Sequence, residues 1–154
     1  RIGSSAASDV YKRQVQDGVL QSWLLDSTTA RQLELESNAR AARGVGGPPS
    51  PSATNLYLAA GMQDVASILR DVGEGFFVTE LIGMGVNGAT GDYSRGASGF
   101  RIENGELTYA VSEVTIAGNL KDMFRHMTPA DDLSFRRGVN APTVLVEGMT
   151  LAGL

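Results

Sequence analysis

The chain has 154 residues, 42% of them hydrophobic and 19% charged, with nineteen glycines, one tryptophan, no cysteine and a net charge of −4. That many glycines against few aromatics predicts one domain, or part of one, that is strand-rich rather than a helical bundle. The composition leaves no thiolate chemistry or disulfides, and the sequence shows no basic stripe for nucleic acid, no apolar core of a signal peptide in its first residues and no apolar run near the roughly 20 residues of a membrane span, so the cytoplasm is the expected compartment.

Residues 1–14 contain Ser4-Ser5-Ala6-Ala7-Ser8-Asp9-Val10-Tyr11-Lys12-Arg13-Gln14, which resembles the in-frame translation of a sequencing adapter and is expected to be a non-native tail. Residues 15–154 are then one domain, entered in mid-protein at about Val15 with the preceding part missing. The turn signal Asp17-Gly18 predicts a strand over 19–25. A helix is expected from Thr28 toward Leu35, and the Gly- and Pro-rich stretch 44–52 reads as loop because proline lacks the amide hydrogen. A short strand follows over 55–58. Asp64 is placed to cap a helix whose Val65, Ile68, Leu69 and Val72 share one face, with Gly73 ending it.

The near-continuous apolar run 76–82 predicts a strand buried on both faces. From Gly83 to Gly99 no regular periodicity is visible. Asn104-Gly105 suits the positive φ pair of a tight hairpin turn, and a two-residue loop pairs Ile102 with Leu107 and Phe100 with Tyr109, all four on one face. Val114–Ile116 extends this sheet. A short helix over 119–127 is expected to turn Leu120, Met123, Phe124 and Met127 inward, and strands over 143–146 and 149–151 close the chain. The fold class is therefore α+β: a strand-rich antiparallel or mixed sheet, barrel-like or a sandwich, with a few short helices.

Gly83-Met84-Gly85-Val86-Asn87-Gly88 matches the dinucleotide pattern literally, yet the mechanism fails: no apolar stripe follows the third glycine to build the helix whose amides would meet a pyrophosphate. His126 is the only histidine, and a catalytic zinc site needs more nitrogen or sulfur ligands than that. No Gly-x-Ser-x-Gly elbow is present either. Thr90–Ala97 concentrates a carboxylate, a phenol, a hydroxyl and a guanidinium between glycines. Such a loop can present an Arg fork and backbone donors to a ligand's carboxylate or peptide backbone; equally, Asp92 and Arg95 can pair across a tight turn and stiffen it.

Four blocks carry a resemblance: Val78-Thr79-Glu80-Leu81-Ile82-Gly83, Gly91-Asp92-Tyr93-Ser94-Arg95-Gly96-Ala97, Ile102-Glu103-Asn104-Gly105-Glu106, and Thr115-Ile116-Ala117-Gly118-Asn119-Leu120-Lys121-Asp122-Met123. In order and spacing they resemble the C-terminal region of the TldD/PmbA family, from about Asp17 to the end. The resemblance implies a zinc metalloprotease complex, a heterodimer of TldD and PmbA (TldE) subunits that trims peptides; older names make its members modulators of DNA gyrase. The TldD-type subunit holds zinc with a His-Glu-x-x-x-His helix and a downstream Cys. This chain has neither, and its Gly-Asp-Tyr-Ser-Arg-Gly block is the PmbA version.

The resemblance thus implies a non-catalytic PmbA/TldE-like subunit with no catalytic residue, metal ligand or cofactor in this chain, zinc residing in a TldD-like partner. Thr79, Glu80, Asp92, Tyr93, Ser94 and Arg95 are the candidates for the substrate-channel wall or the subunit interface. Two other readings stand beside it: a self-contained metalloprotease whose zinc site lies in the missing N-terminal part, and a peptide-binding or gyrase-modulating regulator.

Overall fold

The computed structural model describes residues 14–153, so most of the expected non-native tail lies outside the described residues. Two compact units divide between Leu56 and Tyr57. In the first, β1 (Val15–Gln16) and β2 (Val19–Leu20) form a hairpin around Asp17 and Gly18, both at positive φ. The strand expected over 19–25 is therefore cut to two residues, because pairing stops where β1 ends. Helix α1 (Ser27–Gln32) starts at buried Asp26, whose carboxylate accepts from the Thr28 and Thr29 amides at 3.0 and 2.7 Å while the Thr29 hydroxyl accepts from the Asp26 amide. Those bonds satisfy helix-start donors that have no intrahelical partner. β3 (Ala41–Ala42) pairs with β4 (Ser50–Pro51), so the end of the expected loop 44–52 is a short edge strand, a position where proline's missing donor is harmless.

The division falls inside β5 (Leu56–Tyr57). In the second unit, α2 (Val65–Val72) is capped by Asp64, which accepts from Ser67 N at 2.7 Å, and ends at Gly73 with φ +65°, as expected. Ile68 is buried, and the helix end docks on the sheet: the Gly105 amide donates to Gly73 O at 2.9 Å, and Arg101 pairs with Glu74 at 2.7 Å. The sheet consists of β6 (Gly75–Ile82), β7 (Asp92–Glu103), β8 (Glu106–Asn119) and a later strand, β12 (Thr150–Ala152). Its order is β12-β8-β7-β6, antiparallel throughout. Among the described residues no strand pairs the outer side of β6, so the sheet is open rather than a closed barrel.

Asn104 and Gly105, at φ +53° and +80°, make the tight turn between β7 and β8, and Ile102 opposes Leu107 as the two-residue loop requires. Phe100 opposes Ala110, however, not Tyr109, because β8 carries an extra residue between the two pairs. A second irregularity sets Ser98 against two residues of β8, Ser112 and Glu113, with Glu113 at φ +62°. Its effect is on packing. Residues three apart on a regular strand face opposite ways, but the extra residue brings Val111 and Val114 to the same side, opposite Gly99 and Ala97. There Ala97, Val114 and Ile116 form the buried cluster, with Phe76, Tyr93, Met149 and Leu151 against it. Burying Val114 and Ile116 stabilises this side by on the order of 2 kcal/mol each.

After β8, Asn119 caps α3 (Leu120–Arg125) through Lys121 N. Leu120, Met123 and Met127 are half-buried, but Phe124, expected inward, is exposed, because six residues place it beyond the narrow face that meets the sheet. β9 (Met127–Pro129) pairs with a later strand, β11 (Val144–Val146), and β10 (Val139–Asn140) lies between them in sequence.

Candidate functional site

β6 is the outer strand of the sheet. The expectation that it is buried on both faces is corrected: Val78, Leu81 and Ile82 are exposed. The apolar run signals a strand, but what lies beside it is decided elsewhere in the chain. Val78 opposes Gly99 and Glu80 opposes Ser98, so Thr79 is an extra residue without a partner, and its hydroxyl donates to Ser98 O at 3.1 Å. That bulge presses β6 toward β7, and a Cβ at Gly99 would overlap the Phe77 carbonyl.

Asp92, Tyr93, Ser94 and Arg95 were expected in a glycine-flanked loop; they are the first residues of β7. Glycine obscures the period there, while the pairing Asp92↔Asn119 through Ala97↔Val114 fixes it. Strand geometry separates their side chains: Asp92 and Ser94 face one side of the sheet, Tyr93 and Arg95 the other. Asp92 and Arg95 accordingly make no pair. The Asp92 carboxylate accepts from the Thr90 hydroxyl at 2.6 Å and from the Asn119 amide at 3.3 Å, which ties the approach to β7 to the start of α3. Arg95 reaches the neighbouring strand, donating from Nη2 to Leu81 O at 3.3 Å, and its Nε is buried without a partner.

The stretch 83–88 continues the edge. After Gly83, Ser94 N donates to Gly85 O at 2.7 Å, Val86 bridges Tyr93, and Asn87 N donates to Asp92 O at 2.9 Å. A Cβ at Gly85 would overlap Ser94 O, so this close approach accounts for that glycine, whereas Gly88 borders open space. A strand follows rather than a helix, so the literal match to the dinucleotide pattern marks a break in an edge strand. Beside it lie a shallow depression of about 360 Å³, bordered by Met84, Asn87 and Tyr93 among others, and a smaller cleft of about 100 Å³ formed by Met84, Gly85, Val86 and Arg95.

The sequence candidates are thus strung along strands β6 and β7, on both faces of the sheet, rather than gathered at a point. Ser98, the partner of Glu80, and Asp92 are six residues apart on β7, ~20 Å at about 3.3 Å per residue. Met84, Gly85 and Val86 complete the edge and were not among the candidates; the clue available was Gly85 two residues after Gly83, which bears on backbone approach rather than on a ligand. His126 ends α3 exposed, its amide bonded to Asp122 O. Among the described residues no three His, Cys, Asp or Glu side chains cluster as metal ligands, and no helix is long and apolar enough to cross a membrane.

Residues 11–153 match the family model described as the PmbA/TldA metallopeptidase C-terminal domain. The metalloprotease PmbA of Escherichia coli O157:H7 is 45% identical over 140 residues, covering 90% of this chain and 29% of its own length. A Thermotoga maritima crystal structure that bears the name of a DNA gyrase modulator is 32% identical with a TM-score of 0.78, covering 90% of this chain and 32% of that one. TldE from Thermococcus kodakarensis shares the fold, with a TM-score of 0.80 at 20% identity, covering 90% of this chain and 33% of its own. The chain spans about three-tenths of the length of the curated relatives it matches.

Proposed function

We propose, from the premise that the chain belongs to the PmbA/TldA metallopeptidase family, that it is the non-catalytic, PmbA/TldE-like subunit of a cytoplasmic zinc metalloprotease heterodimer that processes peptides. In this reading the open edge of β6 forms part of the wall along which a peptide lies. The observation that carries it is the edge itself. An outer strand with no described neighbour offers unpaired backbone groups, and a peptide in extended form satisfies them whatever its sequence. Thr79, Glu80 and Arg95 line that wall, while Asp92, Tyr93 and Ser94 hold its far end in register.

The chain's donor set does not suit zinc, since it holds one histidine and no cysteine. No catalytic step is therefore assigned to this chain, and zinc belongs to a TldD-like partner. The test is reconstitution of the full-length subunit with that partner, with peptide cleavage followed for each alone and for both together, and zinc measured in each. Cleavage only by the pair, with zinc in the partner alone, is the expected result. Stoichiometric zinc and cleavage in the isolated subunit would overturn the proposal.

A further inference from the structure

The feature that a plain edge does not explain is Arg95. It leaves the core side of β7, opposite Ile116, and ends at the break where β6 stops and 84–86 begin. One nitrogen donates to Leu81 O, but Nε is buried with no acceptor, and Arg95 makes no ion pair with a described carboxylate. The nearest acid in sequence, Asp92, is on the other side of the sheet and already bonded to Thr90 and Asn119. A guanidinium donates through five N–H groups and accepts through none, so an unused buried N–H marks a place for an acceptor from outside the chain. Planar carboxylate fits that fork in two parallel bonds, and the cleft of about 100 Å³ beside it has room for one.

We propose that Arg95 and the cleft under Met84, Gly85 and Val86 form a carboxylate site at the Ile82 end of the β6 edge, which takes the C-terminal carboxylate of a bound peptide. This rests on the peptide-wall reading above. Charge then sets direction. A peptide running parallel to β6 brings its C-terminal carboxylate to Arg95, whereas an antiparallel one brings its N-terminal ammonium, which the guanidinium repels. The edge supplies length without sequence preference, and Arg95 supplies the end point.

Three heptapeptides of alternating Val and Thr, labelled with fluorescein at the N-terminus, test this by anisotropy against the full-length subunit. One ends in a free carboxylate, one in an amide, and one in an amide with Glu at the penultimate position. The free acid is expected to bind about tenfold more tightly than the amide, and Arg95→Gln to erase that ratio. A Glu peptide equal to the free acid would keep the carboxylate site but overturn its restriction to the chain end. Equal binding of acid and amide by the unmodified protein overturns the site and leaves the peptide wall standing. Binding of none of the three overturns the wall and the site together. The acid-to-amide comparison needs no variant, so a folding defect in Arg95→Gln does not remove the test.

Discussion

β7 is flanked by two bulges at nearly the same level, one on each neighbour, and they serve opposite ends. On β8 the extra residue beside Ser98 keeps Val111 and Val114 on one side, where Met149 and Leu151 complete a buried cluster. On β6 the extra residue Thr79 faces the same Ser98, but Val78, Leu81 and Ile82 beyond it stay exposed. A bulge re-aims side chains; whether that builds a core or a surface depends on what packs there. The β8 side has a returning strand, β12, and on the β6 side no strand pairs among the described residues.

The largest expected effect is at the residue beside the bulges. Gly99→Ala should cost about 3 kcal/mol in denaturant unfolding, because its Cβ meets backbone rather than a movable side chain. A cost under about 0.5 kcal/mol would mean that β6 yields easily and that the two sides differ less than their burial suggests. Val114→Ala, at a side chain 1% exposed, should cost about 2 kcal/mol, against under about 1 kcal/mol for Val78→Ala, 37% exposed, on the other flank. Equal losses would erase the distinction between flanks.

Acid sharpens the comparison from outside the sheet. Backbone donation from Ser67 holds the Asp64 carboxyl below its ordinary value, and the Thr143 hydroxyl and amide do the same for Asp132. A depressed carboxyl contributes stability that is complete above its unfolded value of about 3.9 and is lost as pH falls through its lower folded value. Protection from hydrogen exchange, taken relative to the intrinsic rate at each pH, should therefore fall in α2 below about pH 4 before it falls around Val114, and Asp64→Asn should remove the α2 response. Protection falling first at Val114 would contradict this. Glu113→Gly should raise stability by about 0.5–1 kcal/mol, since glycine takes φ +62° without the Cβ clash. The smallest change is expected from Ile82→Lys. At an exposed edge it should move stability by no more than about 0.5 kcal/mol while weakening peptide binding and self-association, read by anisotropy and light scattering.

Much of the local structure is legible in the residues. Asp64 and Gly73 bracket α2 as their chemistry predicts, and Asn104-Gly105 gives its turn and the Ile102–Leu107 pair. The register beyond that pair is not legible, because nothing in Thr108-Tyr109 announces an extra residue. For the candidate site, the blocks that carry the family resemblance hold the right residues but the wrong form: 92–95 read as a loop because Gly91, Gly96 and Gly99 hide the alternation, and only long-range pairing with β8 makes it a strand. The fork of Arg95 is legible in its residue type; the burial of its Nε is not.

From the sequence alone come the α+β class, the Asp64 cap and the Asn104-Gly105 turn, and the family, because each depends on residue identity or on neighbours a few positions apart. The tertiary structure alone decided which strand is the edge, which bulge faces a core, and that Asp92 and Arg95 point apart. Those depend on hydrogen bonds between residues tens of positions apart, where one extra residue in a strand reverses every side chain after it.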